Sequence, residues 1–137
     1  MILSSYLKKK IEAEAQAAYP KECCGVLLGP KEGETVKIFP ITNAFEEEEK
    51  YHRFRIEAED LMRAERQAVR EGLETLGFYH SHPDHPAVPS EYDREQALPF
   101  YVYIIAEVRQ NRAGDFRAWR LKEDRSEFIE EIIQEKV

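Results

Sequence analysis

The first hydrophobic pattern along the chain is a stripe of apolar residues near the N-terminus. They recur at intervals of three or four residues, which places them on one face of an α-helix. The members of this stripe are Leu3, Leu7, Ile11, Ala15 and Ala18. Because Pro20 cannot continue a helix, the pattern predicts a helix that ends before it and packs one face on a core.

The next pattern is typical of two paired strands. The run Cys24–Gly29 is short and apolar and is bounded by prolines, as expected for a buried strand. Beyond a turn at Pro30, Val36 and Ile38 alternate with polar residues in a second strand. The two strands together predict a hairpin.

A second amphipathic helix is predicted in the middle of the chain. From Glu57 to Glu71 the apolar residues keep helical spacing, and Gly72 is a typical helix stop. The residues from Leu73 to Tyr79 then predict another strand. The acidic segment Glu46–Glu49 is interpreted as a solvated loop and receives no function.

The last third of the chain completes the predicted order of elements. We expect a short helix over Pro89–Ala97, a hairpin from Tyr101–Val108 and Phe116–Leu121, and a closing helix over Ser126–Glu135. This order predicts an α/β fold with a single mixed sheet flanked by helices. At 137 residues, we expect one domain that spans 1–137.

Composition and charge exclude several classes of partner. The chain carries 20 Lys and Arg against 27 Asp and Glu, a net charge of -7, and the basic residues are scattered; we therefore expect no nucleic acid. The longest apolar stretch, Phe100–Ala106, is far shorter than the ~20 residues of a membrane span. The N-terminus lacks the order of a secretory signal, so we expect a cytoplasmic protein.

Cys23 and Cys24 are adjacent and, in a strand, point to opposite faces; we interpret them as structural free thiols.

Three of the four histidines lie within the six residues His80–His85, directly after a predicted strand. In an extended chain the side chains of His80 and His82 point to the same side, so both can bind one Zn²⁺. Asp93, one turn into the predicted helix, is the candidate third ligand. Two histidines, a carboxylate and an open position for water are the ligand pattern of a catalytic zinc site, similar in kind to a His₂Glu site. His85 receives only a supporting role near this site, and His52 receives none.

The spacing His80-x-His82-x7-Ser90-x2-Asp93 resembles the signature of the JAMM or MPN-plus metalloprotease family. A segment upstream is similar to that family's glutamate segment, with the pattern Pro20-x-Glu22-x-x-Gly25-x-Leu27-x-Gly29. Gly77-Phe78-Tyr79, Asn43, Phe54 and the final strands extend the resemblance over nearly the whole chain.

The resemblance implies a fold, a cofactor and a substrate class. It implies an MPN/JAB-like sheet with helices layered as in cytidine deaminases, bound Zn²⁺, and hydrolysis after the C-terminus of ubiquitin or a ubiquitin-like protein. It assigns the general base to Glu22, while the hydroxyl of Ser90 can donate to the oxyanion. The short chain looks most like bacterial members that process sulfur-carrier proteins. The oligomeric state and the identity of the substrate stay open.

Two alternatives accompany this hypothesis. The first is a non-catalytic MPN module that acts as a scaffold or binds ubiquitin-fold proteins, although all five defining positions are intact here. The second is a metallo-β-lactamase-like hydrolase, because the hexapeptide His80–His85 also fits an H-x-H-x-D-H motif. That class needs further histidine ligands downstream, and no histidine follows His85.

Overall fold

The computed structural model describes residues 1–31, 33–44 and 53–137. The acidic segment Glu46–Glu49 and His52 lie outside the described residues. The secondary-structure elements in chain order are β1 (Ile2–Ser4), α1 (Ser5–Ala18), β2 (Cys24–Gly29), β3 (Lys37–Ile41), α2 (Ala58–Arg70), β4 (Glu74–Pro83), α3 (Glu91–Gln96), β5 (Val102–Arg109), β6 (Arg112–Leu121), β7 (Phe128–Glu131) and β8 (Gln134–Lys136).

The main sheet has six strands in the order β3-β2-β4-β5-β6-β7. Strands β4 and β5 run parallel, and the other neighbours are antiparallel, so the predicted mixed sheet is confirmed. β1 and β8 form a separate parallel pair that the sequence did not predict. The parallel β4–β5 pair needs a crossover, and this crossover carries α3.

One long helix covers each face of the sheet, and strand alternation decides which side chains each helix contacts. The cluster on the α1 side includes Leu7, Ile11, Leu27, Tyr79 and Ile104. The cluster on the α2 side includes Val26, Leu28, Ala64, Ala68 and Phe78. The helices and sheet therefore form three layers. β4, between β2 and β5, lies in the middle layer.

The predicted closing helix over Ser126–Glu135 is wrong. Residues Phe128–Glu131 pair with the end of β6, and Gln134–Lys136 pair with β1. The apolar residues in this segment have helical spacing, but a short run of this kind fits either element. The strand form pairs the exposed edge of β6, which a helix would leave open.

The N-terminal helix begins later than predicted, because Ile2–Ser4 form a strand. Ser4 caps the helix through its hydroxyl, which accepts a hydrogen bond from the Leu7 N–H at 3.1 Å. Among the described residues, no helix is long and apolar enough to cross a membrane.

Candidate metal centre

The two predicted histidine ligands lie at the C-terminal end of β4. Strand alternation brings both rings to the α2 side, with His80 and His82 each only 1% exposed. Their Nε2 atoms are 3.1 Å apart. β4 is longer than predicted and includes both histidines, which confirms that this stretch of chain is extended.

Asp93 approaches the same point from the first turn of α3. Its Oδ2 atom lies 3.2 Å from the Nε2 of both His80 and His82. Ser90 forms a capping box with it: the Ser90 N–H donates to Asp93 Oδ2 at 2.9 Å, and the Asp93 N–H donates to Ser90 Oγ at 3.0 Å. Asp93 thus belongs both to the helix cap and to the histidine cluster.

The three converging atoms form a triangle with edges of 3.1, 3.2 and 3.2 Å. Ligands of tetrahedral zinc, with bonds of about 2.0 to 2.1 Å, lie about 3.3 Å apart. The donor set therefore fits a zinc ion in both size and chemistry. Although burial acts to raise the pKa of Asp93, the two histidine rings hold it well below its usual range.

Glu22 lies beside this triangle, just before β2. It is 3% exposed, and its carboxylate and the histidine nitrogens lie within 4.8 Å of one another. Its Oε1 atom has no hydrogen-bond partner in the described part of the chain. Burial raises the pKa of Glu22 to about 8, although His82 acts to lower it. A buried acid without a hydrogen bond to satisfy it is typical of a functional group.

Several contacts orient the histidine rings, and sequence spacing alone did not reveal them. The Nδ1–H of His82 donates to the Pro86 carbonyl at 2.7 Å, which leaves Nε2 free for a metal. Phe54 stacks on His80 with ring centroids 4.5 Å apart. The Pro86 contact depends on a turn at Asp84, whose φ is 57°, and no sequence motif indicates that geometry.

His85 stacks on His82 with ring centroids 4.1 Å apart, and its Nδ1–H donates to the Pro83 carbonyl at 2.8 Å. It therefore touches a candidate ligand, and its supporting role stays a prediction.

Cys23 and Cys24 are buried free thiols, one in each core cluster. Burial raises the pKa of Cys23 to about 12, which disfavours a reactive thiolate.

A groove of about 230 Å³ leads away from the triangle toward α2. Its apolar lining residues include Phe54, Ile56, Leu61, Phe78 and Leu98. A larger hollow of about 540 Å³ lies near β1 and the start of β4 and touches none of the candidate site residues. The groove is lined by His80 and Asp93 and so reaches two of the three converging residues.

Comparison with known proteins identifies the relatives of this chain. A family model described as prokaryotic homologs of the JAB domain matches residues 4–122. Desampylase of Haloferax volcanii is 38% identical over 88 residues, which are 63% of this chain and 62% of that protein. Desampylase of Pyrococcus furiosus is 32% identical over 103 residues, 74% of this chain and 68% of the relative. The match thus spans less than two thirds of the Haloferax protein.

A solved structure of a JAB1/MPN domain protein from Archaeoglobus fulgidus shows the same architecture. It matches with a TM-score of 0.64 at 21% identity, covering 98% of each chain. The fold class expected from the sequence is confirmed by this likeness.

Proposed function

Because the chain belongs to the prokaryotic homologs of the JAB domain, we propose that it is a zinc-dependent peptidase or isopeptidase. In this proposal it hydrolyses the bond after the C-terminal glycine of a ubiquitin-like or sulfur-carrier protein. The observation that carries the proposal is the triangle of donor atoms beside the buried Glu22 carboxylate, whose Oε1 has no hydrogen-bond partner in the described ranges. Two relatives named desampylase support the reaction class.

His80, His82 and Asp93 are the proposed metal ligands. A zinc ion held by these residues would supply a water of lowered pKa, toward ~7, and would polarise the scissile carbonyl. The Pro86 carbonyl and the Phe54 ring hold the histidines in orientation, and the Ser90 N–H holds Asp93. With three protein ligands, a tetrahedral zinc ion would keep one position for water or substrate.

Glu22 is the proposed general base. Its unpaired Oε1 accepts a proton from the attacking water and returns it to the leaving amine. Burial raises the pKa of Glu22 to about 8 in the metal-free protein. A zinc ion at the neighbouring donors would lower this pKa and favour the ionised carboxylate that a general base needs. Glu22 also has a carboxylate within reach of the histidines, so metal binding by Glu22 is the competing role that the experiments below exclude or establish.

Ser90 is the proposed oxyanion donor. Its Oγ already accepts the Asp93 N–H at 3.0 Å, and a hydroxyl can accept and donate at the same time. Ser90 is exposed beside the triangle, so its O–H is accessible to a substrate carbonyl. A single donor of this kind contributes about 10²- to 10³-fold to kcat.

The groove supports a substrate with an extended C-terminal tail. A glycine at the scissile bond suits a site confined between β4 and α3, because a residue without a side chain can pass close to the metal ligands. The apolar lining favours apolar side chains further along the tail. The globular part of the partner then supplies specificity.

The ligand assignment is tested by metal content. We expect one zinc per chain in freshly purified protein, and sharply reduced zinc in His82→Ala, measured by elemental analysis. Glu22→Gln should keep its zinc, because Glu22 is the proposed base and Asp93 the proposed ligand. Full occupancy in His82→Ala would reject the ligand set, while zinc loss in Glu22→Gln would make Glu22 a ligand.

The substrate assignment is tested with a ubiquitin-like sulfur-carrier protein that bears a short C-terminal extension. We expect mass spectrometry to show cleavage after the terminal glycine, with kcat/KM far above that for the isolated tail peptide. A carrier with a bulky residue at its penultimate glycine should be cut poorly. Equal rates for all three would indicate a general peptidase. A zinc-loaded protein that binds the carrier and leaves it intact would favour the scaffold alternative.

A further inference from the structure

The peptide unit between Glu22 and Cys23 is held from both sides by side chains. The Cys23 N–H donates to Ser81 Oγ at 2.9 Å, and the Glu22 carbonyl accepts from Asn43 Nδ2 at 3.1 Å. In a trans peptide the N–H and the carbonyl point in opposite directions, so the two partners hold the unit from opposite sides. Any rotation of this peptide must break at least one of the two hydrogen bonds.

Ser81 makes its contact where the backbone pairing of β2 and β4 ends. The regular register begins at Cys24 opposite His80. One residue earlier, the Ser81 N–H still donates to the Cys23 carbonyl at 3.2 Å, while the Cys23 N–H donates to the Ser81 hydroxyl. Ser81 is 0% exposed. The hydroxyl therefore replaces the last backbone acceptor of the strand pair in a place shielded from water.

Asn43 anchors the other side of the peptide to the segment around Phe54. Its Nδ2 also donates to the Arg53 carbonyl at 2.9 Å, and its Oδ1 accepts from the Arg55 N–H at 3.0 Å. Phe54, between these two residues, stacks on His80. Asn43 thus links the backbone of Glu22 to the ring that packs on a proposed metal ligand.

We propose that Ser81 and Asn43 are positioning residues that aim the Glu22 carboxylate by fixing its own peptide unit. The reason is that Glu22 Oε1 has no hydrogen-bond partner in the described part of the chain, so no contact at that oxygen orients the carboxylate. Its position is set by packing and by the backbone from which the side chain extends. A misplacement of about 1 Å in a catalytic group can cost 10²-fold in rate. This inference rests on the proposed role of Glu22 as general base.

The two hydrogen bonds from Ser81 and Asn43 to the peptide unit between Glu22 and Cys23 are called the clamp below. The first test measures this clamp without metal or substrate. In metal-free protein, Ser81→Ala should speed hydrogen exchange of the Cys23 amide by about 10-fold, measured residue by residue by NMR. Thr75→Val is the matched control, because it removes a β4 hydroxyl that has no hydrogen-bond partner within the described residues. It should leave the Cys23 amide unchanged. Unaltered exchange in Ser81→Ala, or equal acceleration in Thr75→Val, overturns the clamp.

The second test separates positioning from metal binding. Ser81→Ala should lower kcat by about 10-fold, with KM and zinc affinity within about 3-fold of the parent protein, because Ser81 acts on Glu22 and binds neither zinc nor substrate. Ser81→Thr keeps the hydroxyl, so its kcat should stay close to that of the parent protein. A kcat loss that merely follows lost zinc, or a normal kcat despite faster Cys23 exchange, rejects the positioning role.

Asn43→Ala tests the other side of the same peptide. We expect faster exchange at Cys23 and a kcat loss at least as large as in Ser81→Ala, because Asn43 also holds Arg53 and Arg55. Normal kcat in Asn43→Ala contradicts its part in the proposal. If the parent protein cleaves no carrier at all, the proposed function fails. Exchange at Cys23 still decides whether the clamp exists.

Discussion

Two glutamates with raised pKa values lie on opposite faces of the sheet, and they differ in what they meet there. Burial is the main cause of the raised pKa of both Glu14 and Glu22. On the α1 side, the Glu14 carboxylate accepts the Tyr79 O–H at 2.7 Å. On the α2 side, Glu22 Oε1 has no partner in the described residues and faces the histidine cluster. Burial alone therefore does not indicate a catalytic acid; the lack of a partner beside convergent metal donors does.

The largest effect is expected when each glutamate is neutralised in turn, which tests whether only Glu22 takes part in catalysis. Glu22→Gln should lower kcat by about 10²- to 10⁴-fold, because it removes a proton acceptor and preserves size. Glu14→Gln should leave kcat near that of the parent, since the Glu14 carboxylate is hydrogen-bonded to Tyr79 and is not one of the proposed metal ligands or catalytic groups. Steady-state kinetics on the extended carrier, with zinc content measured alongside, checks both. Comparable losses in the two variants would contradict the division between the faces.

The next effect compares two serines that both cap helices. Ser90→Ala should lower kcat by about 10²- to 10³-fold and the free energy of unfolding by about 1 kcal/mol. Ser4→Ala removes the cap of α1 on the other face and should cost about 1 kcal/mol with kcat unchanged. Kinetics and urea unfolding of both variants measure the two quantities. If Ser90→Ala behaves like Ser4→Ala, Ser90 has no role beyond its cap.

The free energy of unfolding should depend on pH through the raised pKa of Glu22. The folded-state pKa of about 8 lies above the ordinary 4.5, so between these values the folded state holds a proton that the unfolded state has released. The free energy of unfolding of metal-free protein should therefore fall by a few kcal/mol as the pH rises through this window. Urea unfolding with a chelator present, at pH 5 and pH 8, measures the fall. In Glu22→Gln most of this fall in the free energy of unfolding should be absent. If the variant keeps the same dependence on pH, the fall does not come from the buried Glu22 carboxyl.

The smallest expected effect concerns the partner of Glu14. Tyr79→Phe removes the hydroxyl that satisfies the Glu14 carboxylate and should lower the free energy of unfolding by about 1 to 2 kcal/mol. Neither kcat nor zinc content should change, although Tyr79 lies next to His80 in the chain. Equilibrium unfolding and kinetics of this variant check both statements. A large loss of kcat would mean that the two faces are coupled through β4.

Much of this arrangement was predictable from local spacing. Strand alternation predicts that His80 and His82 share a side, and the Ser90-x-x-Asp93 pattern predicts a capping box, which the structure contains. Helical spacing predicts α1 and α2 to within a few residues. The closing helix fails because its apolar spacing is compatible with either element. The choice depends on the open edge of β6 and on β1 at the other end of the chain, both of which pair with this segment.

The sequence by itself determined the sheet-and-helix order, apart from the chain ends, and the donor types within the motif, because both depend on periodicity over a few residues. Tertiary structure alone decided that Asp93 reaches both histidines and that Ser81 and Asn43 hold the peptide of Glu22. It also decided that Glu22 Oε1 finds no partner among the described residues. These hydrogen bonds and contacts join residues 11 to 58 positions apart in the chain. Their distances depend on how strands and helices pack, which no local pattern encodes.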